Sequence, residues 1–485
     1  MTPLGLPFDF GPALPEMALL ATACIVLVVD LFLPDSHRAW SYWLAQIGLL
    51  VAAWFALTVF HEQPARALGR MFVADALADV LKFFSYVSVS LMLFYSRGYL
   101  VARGLFRGET FVLTLTALLG ITVMISAANF VPLYLGLELM SLSLYAMIAL
   151  QRESGRAVEA AMKYFVLGAL ASGLLLYGMS MIYGATGTLD INGVASAIVG
   201  GETNRIILVF GLVFVVSAIA FKLGAVPYHM WVPDVYDGAP TAVTLFIGSA
   251  PKLAAFAVAI RLLVGSLSAL AFDWQGMLLI LSLLSMILGN VVAIAQSNIK
   301  RMLAYSTIAN MGFMLMGFLT ANTDGYSAAM FYTVTYVLTT LVAFGMVLLL
   351  SREGFEAELL DDFKGLNQKS PWYAFLMLLA MFSLAGVPPT VGFYAKFSVI
   401  EAAVNAGFTW LAVVAVVTSL IGAFYYLRIV KLMYFDDPID RSPLDTRGDT
   451  RVLLSTNGVL LLLLGILPQP LMGLCVIALT QSHFL

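Results

Sequence analysis

The chain has 485 residues, of which 61% are hydrophobic and only 11% charged. Soluble domains average about 25% charged residues, so a soluble globular enzyme is excluded. The net charge of −3 comes with no basic stripe that would indicate nucleic-acid binding. The two cysteines lie near opposite ends of the chain, and only His229 lies near an apolar run. Neither an iron–sulfur cluster nor a bis-histidine haem is expected from this chain alone, so redox chemistry is expected in a partner.

Long apolar runs follow one another along almost the whole chain. A bilayer crossing needs about 20 apolar residues, so fourteen crossings would use about 280 to 300 positions and leave only short loops. The runs are about twice as long as membrane β-strands, so strands are not expected and we predict an all-α polytopic membrane protein. The predicted spans lie near residues 14–33, 41–60, 74–96, 110–128, 130–150, 159–183, 206–226, 241–264, 275–295, 301–320, 326–350, 372–404 (interrupted), 409–431 and 452–476.

The distribution of basic residues predicts the orientation of the chain. Residues 1–16 contain four prolines and no basic residue, so the first apolar run is expected to be a permanent span and not a cleaved signal peptide. With the N-terminus outside, 16 Lys and Arg fall on the cytoplasmic side and four, including Arg261, on the opposite side. The positive-inside rule therefore predicts that both termini lie outside.

Several charged residues fall within the predicted spans, where a charge at the bilayer centre costs roughly 2.5 to 3.5 kcal/mol. Glu138, Lys222, Lys252 and Lys396 are our candidates for proton transfer. A lysine in a low-dielectric interior changes its proton affinity when its distance from a carboxylate changes, so one glutamate and several lysines suit a proton relay. The alternative is that these charges only hold the spans together.

Two further lysines in the predicted spans lie nearer the span ends. Lys163 follows Glu159 by four residues, so both lie on one helix face, and they are either a relay and its modulator or a surface ion pair. Lys82 is expected to extend its ammonium group to the headgroups, although a functional role stays open.

Prolines interrupt two of the predicted spans. Pro227 follows Lys222 by five residues, and Pro388 and Pro389 stand in the middle of the twelfth span. Because proline lacks a backbone donor and clashes with the preceding turn, both helices are expected to break there. The alternative is a simple kink in each helix.

The two interrupted segments resemble each other. FKLGAVP at 221–227 aligns with FSLAGVP at 382–388, which pairs Lys222 with Ser383, and AAMKY aligns with AAMFY earlier in each half. The repeats are offset by five spans, an odd number, so they would have opposite topology in the membrane, as in transporters with paired discontinuous helices. The predicted division is an N-terminal three-span region, two inverted five-span repeats and a C-terminal loop with a last span: 1–109, 110–264, 275–431 and 432–485.

Several segments together resemble the antiporter-like membrane subunits of respiratory complex I. The resemblance covers spans four to thirteen and is most specific from Phe221 to Pro240. The segments are LGLELMSLSLY, AAMKYF, FKLGAVPYHMWVPDVYDGAPTAV, SAPKLA, SNIKRMLAYSTIANMGF and LAGVPPTVGFYAKF.

The resemblance implies a proton-translocating subunit of NADH:quinone oxidoreductase in the bacterial inner membrane, with both termini periplasmic and no redox site of its own. FMN, iron–sulfur clusters, NADH and quinone are implied in partner subunits, and other membrane-arm subunits are implied as neighbours. Matched by position, the family's proton-transfer residues are Glu138, Lys222, Lys252 and Lys396. His229 matches a histidine placed as a relay between the first two lysines, although it could equally be a satisfied interior histidine.

Three features refine the expectation. Asn310 stands where relatives often carry a histidine, so a proton path there must use water or another residue. Lys396 is a lysine where one class of these subunits is expected to have a glutamate. The chain also ends soon after the last span, without the long lateral helix of the most distal member. The rival hypotheses are a subunit of a multisubunit cation/proton antiporter and an inert membrane scaffold.

Three polar segments are expected to be solvated connectors: the N-terminal tail, 351–371 and 434–451. The second of them could instead dock a neighbouring subunit.

Overall fold

The computed structural model describes residues 10–61, 63–201, 203–440, 442, 444 and 447–482. Most of the N-terminal tail and several residues of the 434–451 connector therefore lie outside the described residues. The described part is a helical bundle, and twelve of its helices are long and apolar enough to cross a membrane. The predicted all-α membrane fold is thereby confirmed.

The N-terminal region contains three long helices and a small hairpin that the sequence did not predict. Its two three-residue strands pair antiparallel, with Ala65 opposite Ala74. The expectation that strands are absent is wrong at this point, because strands this short leave no recognisable alternation in the sequence. The elements are α1 (Leu14–Asp30), α2 (Ala39–Thr58), β1 (Ala65–Ala67), β2 (Phe72–Ala74) and α3 (Ala76–Ala102).

The first half of the bundle begins at α4. Many of its helices start after a side chain that accepts a hydrogen bond from the first turn, as Asn129, Ser154, Asp190 and Asn204 do. The helices are α4 (Gly108–Ile125), α5 (Phe130–Ile148), α6 (Gly155–Thr186), α7 (Ile191–Val199), α8 (Arg205–Leu223), α9 (Trp231–Gly238), α10 (Thr241–Gly248) and α11 (Ala250–Ala259), which continues as a π-helical segment, Ile260–Ser266.

The second half of the bundle and the C-terminal region are also built from helices. The last predicted span, 452–476, is wrong as a single helix, because the chain breaks at Leu467 and Pro468. The helices are α12 (Ala271–Ile294), α13 (Ile299–Phe318), α14 (Thr323–Leu350), α15 (Leu366–Lys369), α16 (Pro371–Ala385), α17 (Val391–Asn405), α18 (Thr409–Phe435), α19 (Gly448–Ile466) and α20 (Gln469–Thr480).

The core of the bundle is formed by α10, α11, α13 and α14, which are almost entirely buried. Helix α14 packs against α10 and α11 on one side and against α16 and α17 on the other. Outer helices such as α1, α6 and α18 leave broad apolar faces exposed. The count of fourteen spans requires α13 and the α16–α17 pair to cross in addition to the twelve long helices, and it stays a prediction.

Two buried ion pairs involve the N-terminal region, one within it and one that joins it to the rest of the bundle. The Lys82 Nζ lies 2.7 Å from a Glu16 carboxylate oxygen, and the Lys82 side chain is 0% exposed. The guanidinium of Arg261 binds both carboxylate oxygens of Asp75 at 3.0 Å and also donates to the Ile125 carbonyl. The expectation that Lys82 reaches the headgroups is wrong. Both cations point inward because a carboxylate on a neighbouring segment faces them.

The Asp75–Arg261 pair is expected to be essential for stability. The substitution Asp75→Asn removes the carboxylate that pairs with buried Arg261, and breaking such a pair costs roughly 3 to 5 kcal/mol. We expect a clear drop in the thermal unfolding midpoint of the detergent-solubilised protein. The control is Asp273→Asn, because its partner Arg205 is two-thirds exposed and such surface pairs contribute little. Equal midpoints for the two variants would contradict the assignment.

Candidate functional site

The seventh predicted span is broken, as the sequence predicts. Helix α8 ends at Leu223, and Gly224 follows with a φ of 80°. The amide groups of Gly224 and Ala225 both donate to the Ala220 carbonyl, at 2.9 and 2.8 Å. This pattern ends a helix in a left-handed residue, which glycine adopts without a Cβ clash. The chain becomes helical again only in α9, so carbonyl groups at the end of α8 are free for side-chain donors.

The twelfth predicted span is broken in the same way. Helix α16 ends at Ala385, and Gly386 follows with a φ of 82°. The amides of Gly386 and Val387 both donate to the Phe382 carbonyl at 2.9 Å. Helix α17 then begins at Val391. The two breaks therefore share one hydrogen-bond pattern.

The register between the two breaks differs from the sequence alignment. Gly224 corresponds to Gly386, an offset of 162 residues. At this offset Lys222 corresponds to Leu384, so its predicted pairing with Ser383 is wrong by one residue. The alignment matched the Val-Pro dipeptides, but the helix ends are determined by the glycines with positive φ. The inverted repeat as a whole stays a prediction.

Buried lysines donate to the carbonyl groups at both helix ends. The Lys252 Nζ donates to the carbonyl of Leu223, the last residue of α8, at 2.9 Å. The Lys396 Nζ donates to the carbonyl of Ala385, the last residue of α16, at 3.0 Å. These lysines are 1% and 9% exposed. The C-terminal end of a helix carries partial negative charge, so each break holds an ammonium group without needing a carboxylate.

Lys300 makes a third contact of this kind, which sequence reasoning missed. Its Nζ donates to the carbonyl of Ala239 at 3.0 Å, directly after α9, and the residue is 2% exposed. In the sequence, Lys300 stands just before the predicted span 301–320 and counts among the cytoplasmic basic residues. A backbone acceptor leaves no trace in the sequence that could have identified it.

Lys222 is held by a hydroxyl group and not by the predicted carboxylate. Its Nζ donates to the Ser141 Oγ at 2.8 Å. Glu138 lies one turn earlier on α5 and forms no ion pair within the described residues, and its buried Oε1 has no hydrogen-bond partner there. The Lys222 ammonium, which reaches α5 from α8, therefore lies at the turn of α5 that follows Glu138, but the two side chains form no ion pair.

A cavity of about 20 Å³ joins the first two lysines. Lys222 and Lys252 both line it, together with Trp231, Met140 and other apolar side chains. A cavity of this size has room for about one water molecule, for which Lys222, Lys252 and Tyr164 are polar partners in an otherwise largely apolar lining. The Lys252 Nζ also lies 3.5 Å from the Lys222 backbone carbonyl. Water in this cavity could therefore connect the two ammonium groups.

The cavity between Lys222 and Lys252 is lined by Trp231 and not by His229, which the sequence analysis proposed as the relay between these lysines. The Trp231 Nε1 donates to the Phe221 carbonyl at 2.9 Å, and the Lys252 Nζ lies 5.6 Å from the indole centroid. His229 lies in the break between α8 and α9, and its buried Nδ1 has no partner among the described residues. Its relay role stays a prediction that no contact supports.

Lys163 and Glu159 lie in a half-exposed charge cluster on α6. The Lys163 Nζ lies 2.8 Å from a carboxylate oxygen of Glu159 and 2.8 Å from one of Asp234 on α9. Arg301 on α13 binds the second oxygen of Asp234 at 3.1 Å. Lys163 is 44% exposed, so it lacks the burial of the other lysines. This placement matches the surface ion pair more closely than the relay.

The segment 351–359, here called the acidic loop, is attached to both halves of the bundle. Glu356 pairs with Arg103 at the end of α3, and Glu358 pairs with Arg156 on α6 and with Lys300 on α13. The expectation of a merely solvated connector is wrong here, because basic groups on three helices converge on two carboxylates of the loop.

The acidic loop is expected to stay attached until the solution is strongly acidic. Burial alone would raise the pKa of the Glu358 carboxyl, but Lys300 and Arg156 outweigh it and hold the pKa below its ordinary value of 4.5. Because the folded-state pKa is lowered, this stabilisation is fully present above pH 4.5 and is lost as the pH falls through the lowered value. Hydrogen exchange at the Leu360 amide measures whether the acidic loop is attached, because this amide donates to the Ser297 carbonyl. The measured exchange rate is corrected for the intrinsic pH dependence of amide exchange.

In this experiment Glu358→Gln, which cannot ionise, should raise exchange at the Leu360 amide already at neutral pH. Wild-type protection that is lost well above pH 4.5 would contradict the assignment.

Asn310 is held in a buried polar cluster. It accepts a hydrogen bond from the Tyr332 hydroxyl at 2.6 Å and donates to the Ser306 carbonyl at 2.8 Å. The Asn310 amide therefore has fixed hydrogen-bond partners. The sequence alone shows only that this side chain cannot titrate.

Comparison with known proteins decides the family. The family model described as "NADH:quinone oxidoreductase/Mrp antiporter, TM" matches residues 127–422. NADH-quinone oxidoreductase subunit N of Thiobacillus denitrificans is 60% identical over 480 residues, which covers 99% of each chain. The chain belongs to the NADH-quinone oxidoreductase subunit N family. The resemblance to antiporter-like membrane subunits of complex I is confirmed, and with it the expectation of a translocase subunit.

Chains in solved structures of membrane complexes share this fold. A chain of respiratory complex I from Thermus thermophilus has a TM-score of 0.80 and 31% identity, and the match covers 95% of this chain and 99% of that one. A chain of the Mrp complex from Dietzia has a TM-score of 0.81 at 21% identity, covering 98% and 97%, and shares the fold. The subunit N fold is therefore also found outside complex I.

Proposed function

We propose that this chain translocates protons as a membrane-arm subunit of an NADH-quinone oxidoreductase. Quinone reduction in partner subunits would drive proton transfer along Glu138, Lys222, Lys252 and Lys396. The observation that carries the proposal is the pair of buried lysines bound to the ends of two broken helices. Ionisable groups inside a membrane bundle are costly and mark ion or proton pathways.

The geometry suits a group that gains and loses a proton in place. A protonated lysine has three N–H donors, whereas the neutral amine keeps two donors and gains a lone pair. Lys252 can therefore keep its hydrogen bond to the Leu223 carbonyl in both states, while its lone pair accepts the next proton. The same reasoning applies to Lys396 and Ala385. Each transfer moves one proton and changes no oxidation state.

The proposed route begins at Lys222 and reaches Lys252 through water in the cavity that both line. His229 is kept as an alternative relay for this step. From Lys252 the proton must cross α14, which packs against both α11 and α17. Helix α14 presents the hydroxyl groups of Thr335 and Thr339 in its buried part, and these support a water-assisted step to Lys396.

Glu138 is proposed to act on Lys222 through its charge, under the control of a neighbouring subunit. Along α5, Val131, Leu135 and Leu142 are all exposed, and the half-buried Glu138 lies on the same stripe. A carboxylate on the outer face of a membrane helix is unfavourable against lipid. A partner subunit that covers this stripe would supply the missing polar contact and could shift the Glu138 charge relative to Lys222.

The remaining parts of the proposal follow the family. FMN, iron–sulfur clusters, NADH and quinone would lie in partner subunits. The neighbours would be the antiporter-like subunit M and the small J- and K-type subunits. The chain would lie in the bacterial inner membrane with both termini periplasmic. The N-terminal region, the two inverted repeats and the C-terminal region would be its structural units.

The second candidate function is a subunit of a multisubunit cation/proton antiporter. The breadth of the matching family model and the fold shared with the Dietzia Mrp chain favour keeping it. The inert scaffold is the third hypothesis, and a proton-transfer variant tests it below.

Co-purification from the native membrane in mild detergent separates the first two functions. The proposal expects flavin, iron–sulfur proteins and NADH:quinone activity to accompany the chain. Recovery with only other membrane subunits and without redox cofactors would overturn it in favour of the antiporter.

A further inference from the structure

A chain of hydrogen-bonded side chains runs through the second half, beside the lysine route. The Tyr332 hydroxyl donates to the Asn310 Oδ1 at 2.6 Å, and the Asn310 Nδ2 donates to the Ser306 Oγ at 3.2 Å. The Ser306 and Tyr426 hydroxyls are hydrogen-bonded to each other. All four residues are at most 4% exposed, and they come from α13, α14 and α18.

One end of this chain approaches the surface near the connection between α12 and α13. Tyr425, adjacent to Tyr426, donates to the Asn290 Oδ1 at 3.0 Å. Asn290 lies four residues before the end of α12, about 6 Å along the helix axis. One turn further along α18, Arg428 donates to the carbonyl of Gln296 in that connection. The acidic loop binds the bundle at this same end.

The other end reaches the break between α16 and α17. A cavity with room for about one water molecule is lined by Asn310, Tyr332, Ser383 and Ala395, among others. Ala395 directly precedes Lys396 on α17. The hydroxyl chain and this cavity together therefore extend from near the surface to the residue beside Lys396.

The bonding of Ser306 differs from that of a hydroxyl with a purely local role. Many buried serines and threonines here donate to the carbonyl four residues earlier, as Ser85, Thr114 and Ser249 do. Such groups are satisfied within their own helix. Ser306 instead bonds the hydroxyl of Tyr426 on another helix, and the Tyr426 hydroxyl has no carboxylate or backbone acceptor within the described part of the chain. A hydroxyl that donates to another hydroxyl can pass its proton on directly, whereas one that donates to a backbone carbonyl must first break that hydrogen bond.

We propose that Ser306, Tyr426 and Tyr332 form a second proton path, which links the end of the bundle with the acidic loop to Lys396. At each step a hydroxyl oxygen accepts a proton on its lone pair and passes its own proton to the next oxygen. No group is oxidised or reduced. Asn310 is a positioning residue that orients the hydroxyls on either side, and water in the cavity carries the proton past it. This inference rests on the proposed function, because Lys396 is its acceptor.

The test compares two variants of one position that differ by a single hydroxyl. Ser306→Thr keeps the hydroxyl and adds one methyl group, whereas Ser306→Val has the same shape without the hydroxyl. Measured as protons translocated per NADH oxidised by the assembled complex in membrane vesicles, Ser306→Val should fall about fivefold or more below Ser306→Thr. Tyr426→Phe should fall to a similar extent, and it serves as the test if Ser306→Val does not assemble.

Two controls make the result unambiguous. Tyr95→Phe removes a buried hydroxyl that donates to the Leu453 carbonyl, away from the proposed path, and should pump normally. Lys396→Met tests the proposed function itself. If Lys396→Met pumps normally, the proposed function fails. If Lys396→Met is impaired while Ser306→Val and Tyr426→Phe match Ser306→Thr, the lysine route stands and the hydroxyl path is refuted.

Discussion

Replacing Lys222 by methionine should leave the complex assembled and abolish most of its proton pumping. Methionine has a similar length and fills a similar space, and within the described residues the Lys222 ammonium donates only to the Ser141 hydroxyl. The fold therefore loses little, whereas the route loses its first titratable group. We expect protons translocated per NADH to fall about tenfold or more. The measurement is proton uptake by membrane vesicles during NADH oxidation, with assembly checked by co-purification.

Two matched variants show what the Lys222 result means. Lys222→Arg keeps the positive charge but cannot release a proton near neutral pH, so it should fail as Lys222→Met does. Lys163→Met alters a half-exposed lysine in a surface cluster and should have a much smaller effect. If Lys222→Met assembles and pumps like the wild type, the inert scaffold is the better account.

Replacing Glu138 by glutamine should reduce pumping severalfold without disturbing the fold. The two side chains are isosteric, and the buried Oε1 of Glu138 has no hydrogen-bond partner to lose among the described residues. What changes is the negative charge near Lys222. Coupling energies between sites typically change an equilibrium by roughly five- to 150-fold, so we expect a loss of about fivefold in protons per NADH.

The predicted order of effects distinguishes an electrostatic role for Glu138 from a carrier role. Because Glu138 does not touch Lys222, its removal should weaken transfer less than the removal of Lys222 does. Glu138→Asp, which keeps the charge, should retain more activity than Glu138→Gln. Unchanged pumping per electron in Glu138→Gln would count heavily against the mechanism.

The helix breaks could be predicted from the sequence because proline has a direct steric effect on the backbone. The register that relates the two breaks to each other could not be predicted from the sequence. The dipeptide Val-Pro occurs in both segments and attracts the alignment, whereas the hydrogen bonds show that Gly224 and Gly386 are equivalent. Backbone conformation at a single glycine determines where each helix ends, and no letter pattern reports it.

The buried lysines could be found from the sequence because charge within an apolar run is rare. Their partners could not be found, since Lys252 and Lys396 bind backbone carbonyls that every residue carries. Lys300 was missed for the same reason. Lys82 was misjudged because its counter-charge, Glu16, lies 66 residues away in the chain, and sequence spacing does not reveal such pairs.

The central claim is that the buried lysines carry protons, and Lys252→Met tests it most directly. The quantity to measure is the number of protons translocated per NADH oxidised in sealed membrane vesicles. Trp274→Phe is the matched control, because it removes a buried hydrogen bond to the Leu267 carbonyl, away from the proposed route, without removing a titratable group. The account predicts a lowered ratio for Lys252→Met and a nearly unchanged ratio for Trp274→Phe. A wild-type ratio in an assembled Lys252→Met complex would contradict it.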